Sequence, residues 1–281
     1  MKRVALSSAL FLAACGGGTE MPPPEHTHDA VTELRFAAKV GAQNFACGST
    51  YTLGTTATQY KPRDLRFYVS NVALIDEDGA EVPFKLTAND FQGEDVGLLD
   101  FEDASGECAN GTAALNTKLV GSAPGGHYKS VVFTLGLPFA LNHKDATAAA
   151  KPLDSSAMFW SWAMGYKFLK LEGVTTGLPS GHNVHIGSTG CMAGSDPNSI
   201  TGCSAENRAR ITLSDYAPTT STIVFDVEKL LAGSDLDVNQ AGAPGCMSGA
   251  TDTDCPPIFE RIGLPFGSAA ATTQTTFSIT N

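Results

Sequence analysis

The residues best suited to chemistry lie in Met158-Phe159-Trp160-Ser161-Trp162-Ala163-Met164-Gly165-Tyr166-Lys167-Phe168, which carries both tryptophans of the chain. Run as one extended strand, this segment places Met158, Trp160, Trp162 and Met164 on a single face, because strand side chains alternate. That face would hold two indoles and two thioethers. Core packing is the ordinary role of such an aromatic run. Two histidine segments flank it, Leu137 to Asp145 with His143, and His182 to Cys191 with His182 and His185. The chain has only six histidines, and a neutral imidazole nitrogen suits copper or zinc. His182 and His185 would face opposite ways on a strand. One of them at most can join His143, and His185, nearer Cys191, is the better candidate. A lone histidine is more often a surface or hydrogen-bonded core residue than a ligand. His26 and His28 lie in a Gly/Pro-rich stretch where they could hold metal only loosely, and His127, after Gly125-Gly126, reads as a turn residue.

Other motifs argue against an enzyme. The sequence contains no HExxH, P-loop or dinucleotide fingerprint. Gly187-Ser188-Thr189-Gly190 lacks the spacing and the strand-to-helix setting of a nucleophile elbow. Asp235-Leu236-Asp237-Val238-Asn239 starts like a calcium loop, but Gly242 comes too late for the sixth position, and a polar loop is the better reading.

The N-terminus combines Met1-Lys2-Arg3, an apolar stretch from Val4 to Leu12, and Leu12-Ala13-Ala14-Cys15. This pattern predicts a signal peptide over 1–14, cut before a lipidated Cys15. A flexible tether over 15–30 and a folded body over 31–281 follow. The membrane connection is therefore expected through the lipid anchor alone. Without Lys2 and Arg3 the formal charge of −11 becomes −13, which disfavours nucleic acid as a partner. Six cysteines remain after Cys15, an even number that implies disulfides in an oxidising compartment. Sequence proximity favours Cys191 with Cys203 and Cys246 with Cys255, leaving Cys47 for Cys108. Spacing alone leaves other connectivities open.

These groups must be positioned by strands. Alternating or β-branched runs at 32–40, 65–75, 130–136, 210–213, 221–227 and 275–279 sit between Gly, Pro and Asn/Asp clusters. Asp76-Glu77-Asp78-Gly79 reads as a hairpin turn. Short helices are expected only at 227–231 and 257–262. The class is all-β, an antiparallel β-sandwich-like single domain with one wet face per sheet and long disulfide-stapled loops.

Several segments together resemble the MbnP-like family, also called the metallo-mystery pair four-Cys motif proteins. They are Phe67-Tyr68-Val69-Ser70-Asn71-Val72, Leu98-Leu99-Asp100-Phe101-Glu102, Gly136 to His143, Met158 to Phe168, His185 to Cys191, and Gly245-Cys246-Met247-Ser248. The resemblance runs from about Leu34 to the C-terminus in motif order. It implies a periplasm-facing Cu(I)-binding protein associated with methanobactin operons. It also implies a partner, a diheme c-type cytochrome/peroxidase of the MbnH/MauG type, which oxidises a tryptophan to kynurenine to complete the copper site. The family's four cysteines fall on Cys191, Cys203, Cys246 and Cys255. On this reading His143 and His185 are the ligands, Trp160 or Trp162 is the residue oxidised, and Met158 or Met247 is a weak extra ligand. Where the family pattern has a further tryptophan before Gln, this chain has Phe91-Gln92. The competing reading is an envelope binding or adhesion module without metal, in which the aromatic run is only core.

Overall fold

A computed structural model describes residues 30–93, 95–195, 199–240 and 242–281. The signal peptide, Cys15, and His26 and His28 lie outside them. Strands form where the alternation predicts them: Val31–Val40, Tyr128–Leu135, Ala209–Ser214, Thr222–Asp226 and Phe277–Thr280. The 65–75 run belongs to a longer strand, Thr58–Asp76, with alternating burial at its start. Among the described residues these elements build a six-stranded and a ten-stranded sheet. Pairing is mostly antiparallel, but two pairs are parallel: Val31–Val40 with Thr222–Asp226, and His182–Ile186 with Gly245–Cys246.

The interior lies between the two sheets. Leu65, Phe67, Val69, Leu169, Leu171, Val184 and Ile186 from the large sheet meet Leu34, Phe36, Ile223, Phe225 and Phe277 from the small one. Phe67 stacks on Phe225 at 5.1 Å and meets Phe277 edge-on at 5.7 Å, so single rings span the gap. The turn at Asp76 forms as expected: Gly79, at φ 89°, donates to the Asp76 carbonyl at 3.1 Å, and Ala80 N–H donates to Asp76 Oδ1 at 2.8 Å. Both expected helices form, at Val227–Leu231 and Pro256–Ile262, the first capped by the Asp226 side chain.

The expectation of a wet outer face needs correction for the large sheet. Asp64, Arg66, Tyr68, Lys170 and His185 alternate with the interior residues, yet all are buried. The chain between the strands ending at Leu135 and starting at Leu169 folds back over this face. It builds a second apolar cluster from Tyr68, Leu98, Leu137, Leu141, Leu153, Met158, Tyr166 and Phe168. Tyr68 and Tyr166 hydroxyls donate to the carbonyls of Pro152 and Leu153 at 3.1 and 2.6 Å, pinning the cover down. The His185 side chain is among those buried on this face.

Candidate metal centre

The tryptophan segment is not one strand. Phe159–Ser161 pairs antiparallel with Gly165–Tyr166, and the chain turns over 162–164. Gly165 takes φ 77°, which a side chain tolerates poorly. A Cβ there would also lie 2.1 Å from the Asn142 carbonyl oxygen. The turn overrides the expected alternation, so Met158, Trp160, Trp162 and Met164 do not share a face. Met158 is fully buried in the second apolar cluster. Trp160 is half-buried, and Trp162 is 47% exposed.

His185 lies on the strand His182–Ile186, directly across from Lys170. Its ring meets the Trp160 indole edge-on at 5.9 Å. Its Nε2 is 2.7 Å from Glu172 Oε1. Burial pushes the His185 pKa down, against the pull of the Glu172 carboxylate, which favours the neutral ring. Burial pushes Glu172 up, but the His185 hydrogen bond and the Lys170 ammonium outweigh it and hold the carboxyl down to about 2. The motif Gly245-Cys246-Met247-Ser248 braces the same strand. Ser248 Oγ donates to the His185 carbonyl at 2.8 Å and accepts from Gly187 N–H at 3.2 Å. Gly187 is needed for space, since a Cβ would sit 2.8 Å from the Tyr166 carbonyl oxygen. Met247 is half-buried in that brace.

His143 follows the helical turn Phe139–Asn142, which the strand-based reading missed. Its ring packs on Phe139 with centroids 4.7 Å apart. Asn142 ties it to the tryptophan hairpin: Tyr166 N–H donates to Asn142 Oδ1 at 2.9 Å, and Asn142 Nδ2 donates to the Met164 carbonyl at 3.1 Å. The amide nitrogen also lies 3.3 Å from His143 Nε2. His143 Nδ1 is buried without a hydrogen-bond partner. Burial lowers the His143 pKa and favours the neutral imidazole here too.

The disulfides are Cys47–Cys108, Cys191–Cys203 and Cys246–Cys255, as sequence proximity favours. Cys191 and Cys203 face each other across a two-stranded hairpin, Thr189–Ala193 with Ile200–Ala205. Cys203 Sγ is 3.5 Å from His143 Nε2. Among the described residues, His143, Cys191 and Cys203 form a group whose ligand atoms lie within 4.8 Å of one another. Both sulfurs are bonded to each other and have no thiolate to give. In this group the imidazole is the competent ligand and the disulfide is its wall.

The MbnP family model matches residues 29–248. This chain belongs to the MbnP family. A solved structure, MbnP from Methylosinus trichosporium, is 31% identical with a TM-score of 0.78, covering 89% of this chain and 98% of that one. No curated protein matches.

Within this MbnP fold the predicted residues distribute as follows. His185 and Trp160 are in contact, and His143 reaches the same hairpin through Asn142. His185 is not in the group that His143 forms with the disulfide. His182 lies elsewhere, buried near Asp235, its pKa pushed down to about 4 by burial. The calcium-like string is structural, since Asp237 accepts from the Thr56 and Thr58 hydroxyls at 2.8 and 2.7 Å. Phe91 lines a cavity of about 520 Å³ with Arg66 and Asp100. Sequence reasoning missed Asn142, Glu172 and Ser248. Asn142 was flagged only by standing next to His143, and Glu172 carries no local signal.

Proposed function

We propose that this MbnP-family chain is an exported, lipid-anchored copper-binding protein, and not itself an enzyme. Its Cu(I) centre is assigned to His143, His185 and Trp160 after oxidation to kynurenine. The observation that carries the reading is the contact of Trp160 with a carboxylate-anchored His185, on a hairpin that Asn142 ties to His143. Cu(I) favours few, soft or imidazole ligands. With Cys191, Cys203, Cys246, Cys255, Cys47 and Cys108 consumed in disulfides, the donors left are imidazoles, a methionine thioether such as Met247, and an aromatic amine. Opening the indole converts a ring nitrogen that only donates into an aniline nitrogen with a lone pair.

Trp160 is preferred over Trp162 because it touches His185, whereas Trp162 stands open to solvent. Met158 is walled into the apolar cluster and is a poor supplementary ligand. The oxidant is assigned to a diheme c-type cytochrome/peroxidase of the MbnH/MauG type, for which this chain is the protein substrate. The disulfides fit an oxidising compartment, and no helix of the described residues is long and apolar enough to cross a membrane. Cleavage at Cys15 and an outer-membrane or cell-surface position complete the proposal.

Peptide mass spectrometry of protein from its native host tests it. The expected result is loss of one carbon and gain of one oxygen at Trp160, with copper bound at one equivalent or fewer per chain. Unmodified indoles in copper-loaded protein would remove the oxidase-substrate role. Unchanged copper binding in His143→Ala and His185→Ala would remove the assigned centre.

A further inference from the structure

We propose that Glu172 is the positioning residue of this centre: it accepts a hydrogen bond from His185 Nε2–H and so makes Nδ1 the lone-pair nitrogen that His185 offers to a soft metal ion. The identity of the ion rests on the copper reading above, while the choice of nitrogen rests on geometry. An ionised carboxylate can only accept. Its oxygen stands 2.7 Å from Nε2, so that nitrogen carries the hydrogen, and in a neutral ring the other nitrogen must hold the free pair. A carboxylate behind a ligating imidazole fixes the ring and strengthens it as a donor.

Glu172 is itself held by a chain of buried charges on the covered face of the large sheet. Lys170 Nζ is 3.5 Å from Glu172 Oε1 and 2.6 Å from Asp64 Oδ2. Asp64 takes both Nε and Nη2 of Arg66, and Arg66 Nη1 reaches Glu102 Oε1 at 3.5 Å. Strand register imposes the order, pairing Lys170 with both His185 and Arg66, and Glu172 with Asp64. The carboxylate side chain therefore has little freedom to leave His185. Without Glu172 the imidazole would face the Lys170 ammonium across the strand pair with nothing to select its tautomer.

The test uses the mature chain labelled with nitrogen-15 and free of metal. Long-range proton–nitrogen spectra at neutral pH should show His185 as the Nε2–H tautomer, its signals assigned by their loss in His185→Gln. Glu172→Ala should mix the tautomers and weaken Cu(I) binding about 10- to 100-fold in competition with bicinchoninate. Glu172→Gln keeps an accepting oxygen and should retain the tautomer, with a smaller loss of affinity. Circular dichroism and thermal melting identify any variant that fails to fold, and the wild-type tautomer then decides the matter with Glu172→Gln. An Nδ1–H tautomer in the wild type, or unchanged tautomer and affinity in a folded Glu172→Ala, would overturn the proposal. The Nε2–H tautomer in a protein that binds no Cu(I) would uphold the role of Glu172 and sink the copper reading instead.

Discussion

The backbone N–H of Tyr166 donates to Asn142 Oδ1 at 2.9 Å, which joins the closing strand of the tryptophan hairpin to the residue just before His143. One buried amide thus sets the spacing between a histidine and the indoles. Asn142→Ala would leave the Tyr166 N–H unpaired under the cover, at a cost of about 2 kcal/mol. Urea unfolding should show that loss, and Cu(I) affinity should fall although no ligand is removed. Unchanged affinity would mean that the hairpin does not need this tether.

Gly187 tests the contact between Trp160 and the histidine strand. An added Cβ would approach the Tyr166 carbonyl oxygen to 2.8 Å and the Trp160 ring to 3.1 Å. Gly187→Ala is expected to cost roughly 1–3 kcal/mol through overpacking and to push the indole outward. Fluorescence of the Trp162→Phe background isolates Trp160, and its emission should shift to the red in the double variant. An unshifted spectrum would show that the ring has room to spare.

Legibility in the sequence followed the range of the forces at work. Val31–Val40 and Ala209–Ser214 were readable because alternation records one buried face. The helix at Val227–Leu231 was readable from its short apolar spacing, and Asp226 closes it from a neighbouring position. The tryptophan hairpin was not readable as a turn, because Gly165 acts through its approach to Asn142, a contact distant in sequence. The buried face of Asp64, Arg66 and Lys170 looked wet for a similar reason: charged residues signal solvent until a distant segment covers them. At the candidate site, residue types singled out His143, His185, Trp160 and Trp162, whereas Glu172 and Ser248 are placed by cross-strand register and by a parallel edge strand.

The covered charges also set a pH dependence of stability. Asp100 is 2% exposed, and burial, with the Glu102 carboxylate adding to it against the pull of Arg66, raises its pKa from 3.8 to about 7. The folded protein therefore holds a proton that the unfolded chain releases above pH 3.8. This contribution to stability is complete below the unfolded value and is lost as pH rises to about 7. It amounts to at most about 4 kcal/mol. Urea unfolding from pH 4 to 8 should show this decline in the wild type and a flatter profile in Asp100→Asn, which keeps the acceptor for Glu102 N–H. Identical slopes in the two proteins would place the titration elsewhere.

The disulfides should separate stability from site geometry. Cys47–Cys108 closes 61 residues and Cys191–Cys203 closes 12. Loop-closure entropy makes their loss worth about 4 and about 3 kcal/mol respectively. Only the second touches a proposed ligand, since Cys203 Sγ lies 3.5 Å from His143 Nε2. Its half-exposed hairpin is a separate two-stranded sheet, so opening it leaves the sandwich core intact. Cys191→Ser with Cys203→Ser should therefore keep a cooperative unfolding transition while weakening Cu(I) binding, because His143 loses the wall that holds its ring against Phe139. Cys47→Ser with Cys108→Ser should do the reverse, lowering the unfolding midpoint more and leaving Cu(I) affinity of the folded protein close to wild type. If both double variants lost affinity in proportion to stability, the disulfide beside His143 would have no role beyond stapling its loop.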